Sequence, residues 1–290
     1  MMKKICKMLY KVCYKAFQTV VSLCCVILFS KFKRIGLNSL RREFIGANER
    51  LIILCNGPSM KDSIVHNIDR FMSNHIMVVN NYYNSDLLKS FKPKFHIICD
   101  PAYFRKGVVY ADNDELNRFV EFLNSLDWEV NLLVPYEFKG CYLHRRIKNK
   151  CVKFYYLNLT PVDGFICVRH WIYKNSLGMP LAMNILIPAI FSAINIGFKK
   201  IEIYGADYSW PIDIRVNKYN QTCMKDHHFY DDDDKLHVME GFDMSLLFGN
   251  FSKAFKCHKI LRQYSESKNV EILNCTPGSF IDAYNRKEGC

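Results

Sequence analysis

A chain of 290 residues that is 50% hydrophobic is long enough to bury one sizeable core, which excludes an intrinsically disordered protein. Its 40 Lys and Arg against 28 Asp and Glu leave a net charge of +12, which favours anionic partners. No RRM, zinc-finger or helix-turn-helix pattern accompanies that charge, so nucleic acid is not the expected partner. Thirteen cysteines without paired CxxC spacing, a CxxH zinc pattern or a cleavable secretory signal point to reduced thiols in a cytosolic compartment.

Residues 1–45 stand apart from the rest. Lys3, Lys4, Lys7, Lys11 and Lys15 precede an apolar run from Phe17 to Phe29, and Lys31, Lys33 and Arg34 follow it. The run falls short of the roughly 18–20 residues that span a bilayer, so an interfacial anchor is expected rather than a crossing. Its basic side chains would meet anionic headgroups on the cytoplasmic leaflet, with Val20, Leu23, Val26, Ile27 and Leu28 in the acyl boundary. A helix packed on the body of the protein, or on a second copy in a homo-oligomer, is the alternative.

Residues 46–290 read as one α/β domain. Leu51-Ile52-Ile53-Leu54 is a buried strand, stopped by Asn56-Gly57-Pro58-Ser59. At such a strand-to-helix corner Gly57 admits a close ligand, Pro58 sets φ, Ser59 caps the helix that follows, and the helix N-terminus suits a phosphate. His75–Val79 and Phe95–Cys99 are further strands, closed by Asn80 and by Asp100-Pro101. Three successive strand ends therefore carry an amide or a carboxylate. In a doubly wound parallel sheet those ends line one crevice and suit a ribose or a base.

Apolar spacing predicts a helix over 114–126 and a strand over Val130–Val134, stopped by Pro135. The basic, aromatic stretch 136–180 is expected to be a lid or acceptor-binding insertion. Leu181–Ile196 reads as a long apolar helix, kinked at Pro188 and ended by Gly197. The next strand runs from Lys200 and places Asp207 at the same rim. A second insertion is expected near 211–250. Within it His228 is the candidate acid/base group, because neutral imidazole is well poised to take a hydroxyl proton, and the run Asp231–Asp234 is read as solvated rather than metal-binding. A helix over Phe251–Tyr264 and a strand over Val270–Asn274 lead to Thr276-Pro277-Gly278-Ser279, which echoes the first corner and could hold the other end of one nucleotide.

Together these segments resemble the bacterial family 42 sialyltransferases and a wider set of surface-polysaccharide glycosyltransferases. The matching residues are Asn56-Gly57-Pro58-Ser59, Val78-Val79-Asn80-Asn81-Tyr82-Tyr83, Cys99-Asp100-Pro101, Ile196–Ile201, Tyr204-Gly205-Ala206-Asp207-Tyr208 and Leu273–Ser279. The resemblance implies a Rossmann-like doubly wound, mostly parallel sheet with a lid subdomain. It further implies a metal-independent transfer that uses no cofactor, a nucleotide-sugar donor such as CMP-sialic acid, and a glycan or glycolipid acceptor at the cytoplasmic face of the inner membrane.

Carried over, Asn56, Gly57 and Ser59 would line the phosphate and sugar, Asn80 and Asp100 the nucleoside, His228 would be the base, and Tyr208 and Tyr230 would steady the leaving phosphate. Asp100 replaces the family's Asn, and a carboxylate there repels a donor phosphate but accepts ribose hydroxyls. The family's Arg-x-Thr-Ser is missing; Asn175–Met179 or Met183-Asn184 stands in its place. A second resemblance, to hydroxymethylpterin pyrophosphokinase-like proteins, rests on the first corner and Tyr-Gly-Ala-Asp. It would require magnesium, with Asp207 and the acidic run as ligands. A membrane-docked binding protein without chemistry is the non-enzymatic alternative.

Overall fold

The computed structural model describes residues 2–30, 37–44, 50–85, 90–104, 113–225 and 236–286. Its centre is an eight-stranded sheet whose paired strands are all parallel. In chain order the strands are β1 (Arg50–Leu54), β2 (His75–Val79), β3 (Phe95–Ile97), β4 (Val130–Pro135), β5 (Val152–Leu157) and β6 (Lys200–Tyr204), then β7 (Ile214–Val216), β8 (Thr222–Lys225), β9 (Leu236–Val238), β10 (Glu271–Asn274) and β11 (Asn285–Arg286). The central sheet has the order β11-β10-β6-β1-β2-β3-β4-β5, and β7-β8-β9 form a small antiparallel sheet of their own.

The chain thus starts in the middle, walks outward through β5, and returns to the other side of β1 at β6. That reversal makes the gap between β1 and β6 the topological switch point, where open α/β sheets bind ligands. Both faces of the sheet are covered, which is why β1 is continuously apolar rather than alternating. Leu51 and Ile53 face one core and Ile52 and Leu54 the other, as a two-residue period requires.

The helices are α1 (Met2–Phe29), α2 (Leu37–Phe44), α3 (Met60–Met72), α4 (Asn113–Ser125), α5 (Tyr142–Arg146), α6 (Ile166–Lys174), α7 (Leu186–Ile196) and α8 (Met244–Glu266). Met60 and Phe71 of α3, Phe119 of α4 and Leu143 of α5 fill one core. Leu40 of α2, Ile172 of α6, Ile190 of α7 and Leu261 of α8 fill the other.

Several expectations change. The helix expected from Leu181 starts only at Leu186, which puts Pro188 in its first turn; a first-turn N–H has no intrahelical partner to lose, so no kink follows. Gly197 does end the helix, in the left-handed conformation. The stretch 136–180 supplies β5, the sheet's edge strand, and α6 on one of its faces. Helix α8 begins seven residues before the expected Phe251, capped by Asp243, whose Oδ1 accepts from Leu246 N at 2.7 Å.

Helix α1 meets the body with its polar side. Lys15 Nζ donates to Gly164 O, Gln18 to Asp163 Oδ2, and Ser22 Oγ both donates to Asp163 O and accepts from Asp163 N at 2.9 Å. Thr19 Oγ1 accepts from Phe165 N at 2.9 Å, and Ser30 from Asn158 Nδ2 at 2.7 Å. Val20, Val21, Leu23, Ile27 and Leu28 remain exposed, Ile27 by 70%. Val26 corrects the expectation of an acyl-facing residue, being buried against the protein core. The helix, longer than the apolar run within it, reaches the length and composition of a membrane crossing, but from Lys15 onward it is tied sidewise to the body.

Candidate functional site

The rim above the switch point is built by two loops that touch. Gly57 N donates to Gly205 O at 2.9 Å, and a Cβ on Gly57 would lie 2.5 Å from that carbonyl oxygen and 2.0 Å from Asp207 Oδ2. The absence of a side chain at Gly57 therefore serves contact with the chain's own β6 loop, where close approach by a ligand was expected. Ser59 also departs from expectation. Its hydroxyl does not cap α3; it donates to Asp207 Oδ2 at 2.9 Å, while Ser59 N donates to Asp207 Oδ1 at 3.3 Å.

The consequence concerns charge. The α3 N-terminus, where the sequence suggested a phosphate, already holds the Asp207 carboxylate as its anion. Burial pushes the Asp207 carboxyl above its ordinary value, against the opposite pull of the two Ser59 bonds. Pro58 lies exposed on the turn between them.

Asn56, Asn80, Asp100 and Asp207 follow β1, β2, β3 and β6, which are neighbours in the sheet. Four contiguous strand ends span about 14 Å at the usual inter-strand spacing. Asn56 Nδ2 donates to Val79 O at 3.4 Å, which orients the amide and leaves its Oδ1 buried without a partner among the described residues. Asn80 has φ +43, its carbonyl faces His96 Nε2 at 2.8 Å, and its Oδ1 is likewise buried and unpartnered. Buried polar atoms almost always find partners, and left-handed φ at a residue other than glycine is uncommon, so their coincidence here makes this rim the candidate site. Asp100 Oδ1 accepts from Ala102 N at 2.9 Å, opening the short turn Pro101–Tyr103.

The second corner looks similar in sequence and differs in structure. Thr276 Oγ1 accepts from Ala206 N at 3.0 Å, and Ser279 Oγ donates to Ala206 O at 2.6 Å and accepts from Asn274 Nδ2 at 3.0 Å. Both residues are buried, and Gly278, at φ +67, is an exposed turn residue with no atom near its open side. The two hydroxyls clamp the loop that carries Asp207.

Tyr208 is also corrected. It is 7% exposed, and its hydroxyl bonds His258 Nε2 at 2.8 Å, whose Nδ1 bonds the Tyr284 hydroxyl at 3.0 Å. The Tyr208 hydroxyl is thus committed to a buried histidine in the core rather than free at the rim. Burial holds the His258 imidazole down to about 3 and both tyrosines well above their ordinary value. His228, Tyr230 and the acidic run lie outside the described residues. Among the described residues, no cluster of three His, Cys, Asp or Glu side chains is arranged to hold a metal ion.

No family model and no curated protein matches this chain. Among solved structures, the MAf glycosyltransferase from Magnetospirillum magneticum AMB-1 is similar to it, with a TM-score of 0.47 and 10% identity over 83% of this chain and 34% of that one. The chain spans about a third of that protein's length.

Sequence reasoning missed Asn184, whose Oδ1 accepts from Leu186 N and Ile187 N at 3.2 and 3.4 Å and so caps the buried α7, and whose side chain also faces the Tyr208 hydroxyl. An Asn just ahead of an apolar helix is a cap signal that was present to be read. His258 and Tyr284 carried no such signal, because their pairing joins residues distant in the chain.

Proposed function

We propose that this protein is a glycosyltransferase that takes a nucleotide-activated sugar at the rim of β6, β1, β2 and β3 and transfers it to a hydroxyl of a lipid-linked or surface-glycan acceptor. The observation that carries the reading is the pair of buried oxygens, Asn56 Oδ1 and Asn80 Oδ1, that have no partner among the described residues and sit on adjacent strand ends beside the switch point. Both are acceptors. What they lack are donors, which ribose hydroxyls and the amino or imino groups of a base supply.

Asp207 shapes the rest of the arrangement. With its carboxylate at the α3 N-terminus, the donor's phosphates are repelled from that corner and the nucleoside is the part that suits it. His228, on the stretch 226–235, is the proposed base for the acceptor hydroxyl, with no metal required. The bare apolar side of α1 supports work at a membrane surface, where a lipid-linked acceptor would be met.

Thermal-shift measurements with CMP-, UDP-, GDP- and ADP-linked sugars, with and without EDTA, test this directly. One donor is expected to raise the melting temperature with or without EDTA, with CMP-sialic acid the one implied by the sequence resemblance. Asn56→Ala is expected to lose that rise, whereas His228→Ala is expected to keep it and lose turnover. A chain that no nucleotide sugar stabilises refutes the reading.

A further inference from the structure

A groove of about 300 Å³ runs between α1, the loop after β5 and α8. Phe17, Val21 and Cys25 of α1 form one wall, at the four-residue spacing that stacks side chains along a helix. Val162, Leu181 and Ile260 form the others. The groove lies beside the polar stripe that docks α1, and through Phe17 and Val21, both substantially exposed, it continues onto the bare apolar side of the helix. Its size equals about ten water volumes, room for a stretch of one alkyl chain rather than for a whole lipid.

Charge marks one end. Lys253 and Lys256 line the groove from α8, and both are exposed. Lys256 pairs with Asp163 at 2.8 Å, and among the described residues Lys253 reaches only the Asn250 side chain at 3.3 Å. The Asp163 carboxylate also takes Gln18 and the buried Arg169, and Lys15 bonds the neighbouring Gly164 carbonyl, so among the described residues the cations Lys253, Lys256, Arg169 and Lys15 gather around the Asp163 carboxylate. An apolar slot, open toward an apolar helix face and carrying surplus positive charge at its edge, has the complementarity of a lipid with an anionic head.

We propose that this groove seats one hydrocarbon chain of an anionic membrane phospholipid, with its phosphate at Lys253 and beside Lys256. None of the rim residues Asn56, Asn80, Asp100 and Asp207 lines this groove, and the seat does not depend on the donor assignment. It differs from surface adsorption because a single lipid molecule enters a defined cavity, so binding must saturate without a bilayer.

The test uses the full chain and dioctanoyl-phosphatidylglycerol below its micelle-forming concentration, with dioctanoyl-phosphatidylcholine as the neutral control. Melting temperature and the rate of aqueous alkylation at Cys25 are followed against lipid concentration. A saturable rise in melting temperature is expected, tighter for the glycerol lipid, with Cys25 shielded in parallel. Val21→Trp, which fills the groove from an exposed position, is expected to weaken binding about tenfold, the worth of roughly two buried methylenes.

Lys253→Glu is expected to abolish the preference for the anionic head while keeping the chain bound. Leu181→Glu, also at an exposed position, gives a second block should the tryptophan variant lose its circular-dichroism signature. Non-saturable binding, unshielded Cys25, or a folded Val21→Trp or Leu181→Glu protein that binds like the parent overturns the seat. Titrating the nucleotide sugars into the same samples separates the two readings: a saturable lipid response with no donor response leaves the seat standing and removes only the glycosyltransferase reading.

Discussion

The corners after β1 and β10 are near-copies in sequence, each a strand followed by Pro, Ser and Gly, yet they behave oppositely. After β10, the Thr276 and Ser279 hydroxyls are both committed to the Ala206 backbone, and the turn is closed on itself. After β1, Gly57 and Ser59 are committed to Gly205 and Asp207, but Asn56 keeps a buried oxygen with nothing to accept from. A ligand site is therefore distinguished less by its turn residues than by whether any buried polar atom is left over once the turn has closed. The β10 corner supports; the β1 corner both supports and offers.

The sharpest break in that contrast comes from Gly57→Ala. Its new Cβ would overlap the Asp207 carboxylate and the Gly205 carbonyl, the latter being backbone, so a loss of about 3 kcal/mol or more is expected in urea denaturation. Acid comes next, acting on the buried chain Tyr208–His258–Tyr284, which ties the loop after β6 to α8 and to the segment before β11. His258 is held neutral in the fold, down to about 3, so the stability it contributes is complete above its ordinary value near 6.5 and is lost as pH falls from there. The expected slope is up to about 1.4 kcal/mol per pH unit from this residue, with His96, held to about 4 by burial, adding to it; His258→Gln should flatten the curve by about one proton.

Thr276→Val removes the acceptor for Ala206 N and should cost about 1–3 kcal/mol in the same denaturation series while leaving donor affinity in place. Gly278→Ala meets open space and pays only for the left-handed backbone, about 1 kcal/mol. The smallest expected effect on stability is from Asn56→Ala, within about 0.5 kcal/mol, because the amide makes one long bond at 3.4 Å. It should carry the largest effect on nucleotide binding by calorimetry. If Asn56→Ala instead unfolds the protein and Thr276→Val abolishes binding, the contrast between the corners is reversed.

Much of the sheet was legible because parallel strands covered on both faces are largely apolar; β1 and β2 are continuous apolar stretches after their first residue, and β4, β6 and β10 keep enough Val, Ile and Leu around Asn131, Glu202 and the ends of β10 to be read as strands. The rim was legible too, since Asn56, Asn80, Asp100 and Asp207 end such runs. Strand β5 was not, because an edge strand with half-exposed Phe154, Tyr155 and Tyr156 looks like any basic aromatic surface. The small sheet of β7, β8 and β9 is short, with β9 wholly exposed, and leaves no apolar run to find. What each rim residue does was hidden for a different reason: Asp207 bonds a serine 148 positions earlier, and no local pattern encodes that partnership. In α1, Thr19 and Ser22 read as interruptions of an apolar run, although they are the residues that dock it.

Asp163 is the knot of that docking. Its carboxylate gathers Gln18 from α1, Arg169 from α6 and Lys256 from α8, while its backbone exchanges two bonds with Ser22. A version of the chain trimmed to start after residue 36, the natural step toward a more soluble preparation, would take Gln18 and Ser22 out of that junction and leave the Asp163 carboxylate to Arg169 and Lys256. Shedding α1 would then remove the Thr19 acceptor for Phe165 N at the start of α6 and one wall of the groove beside α8, so easier handling would come with a softer protein.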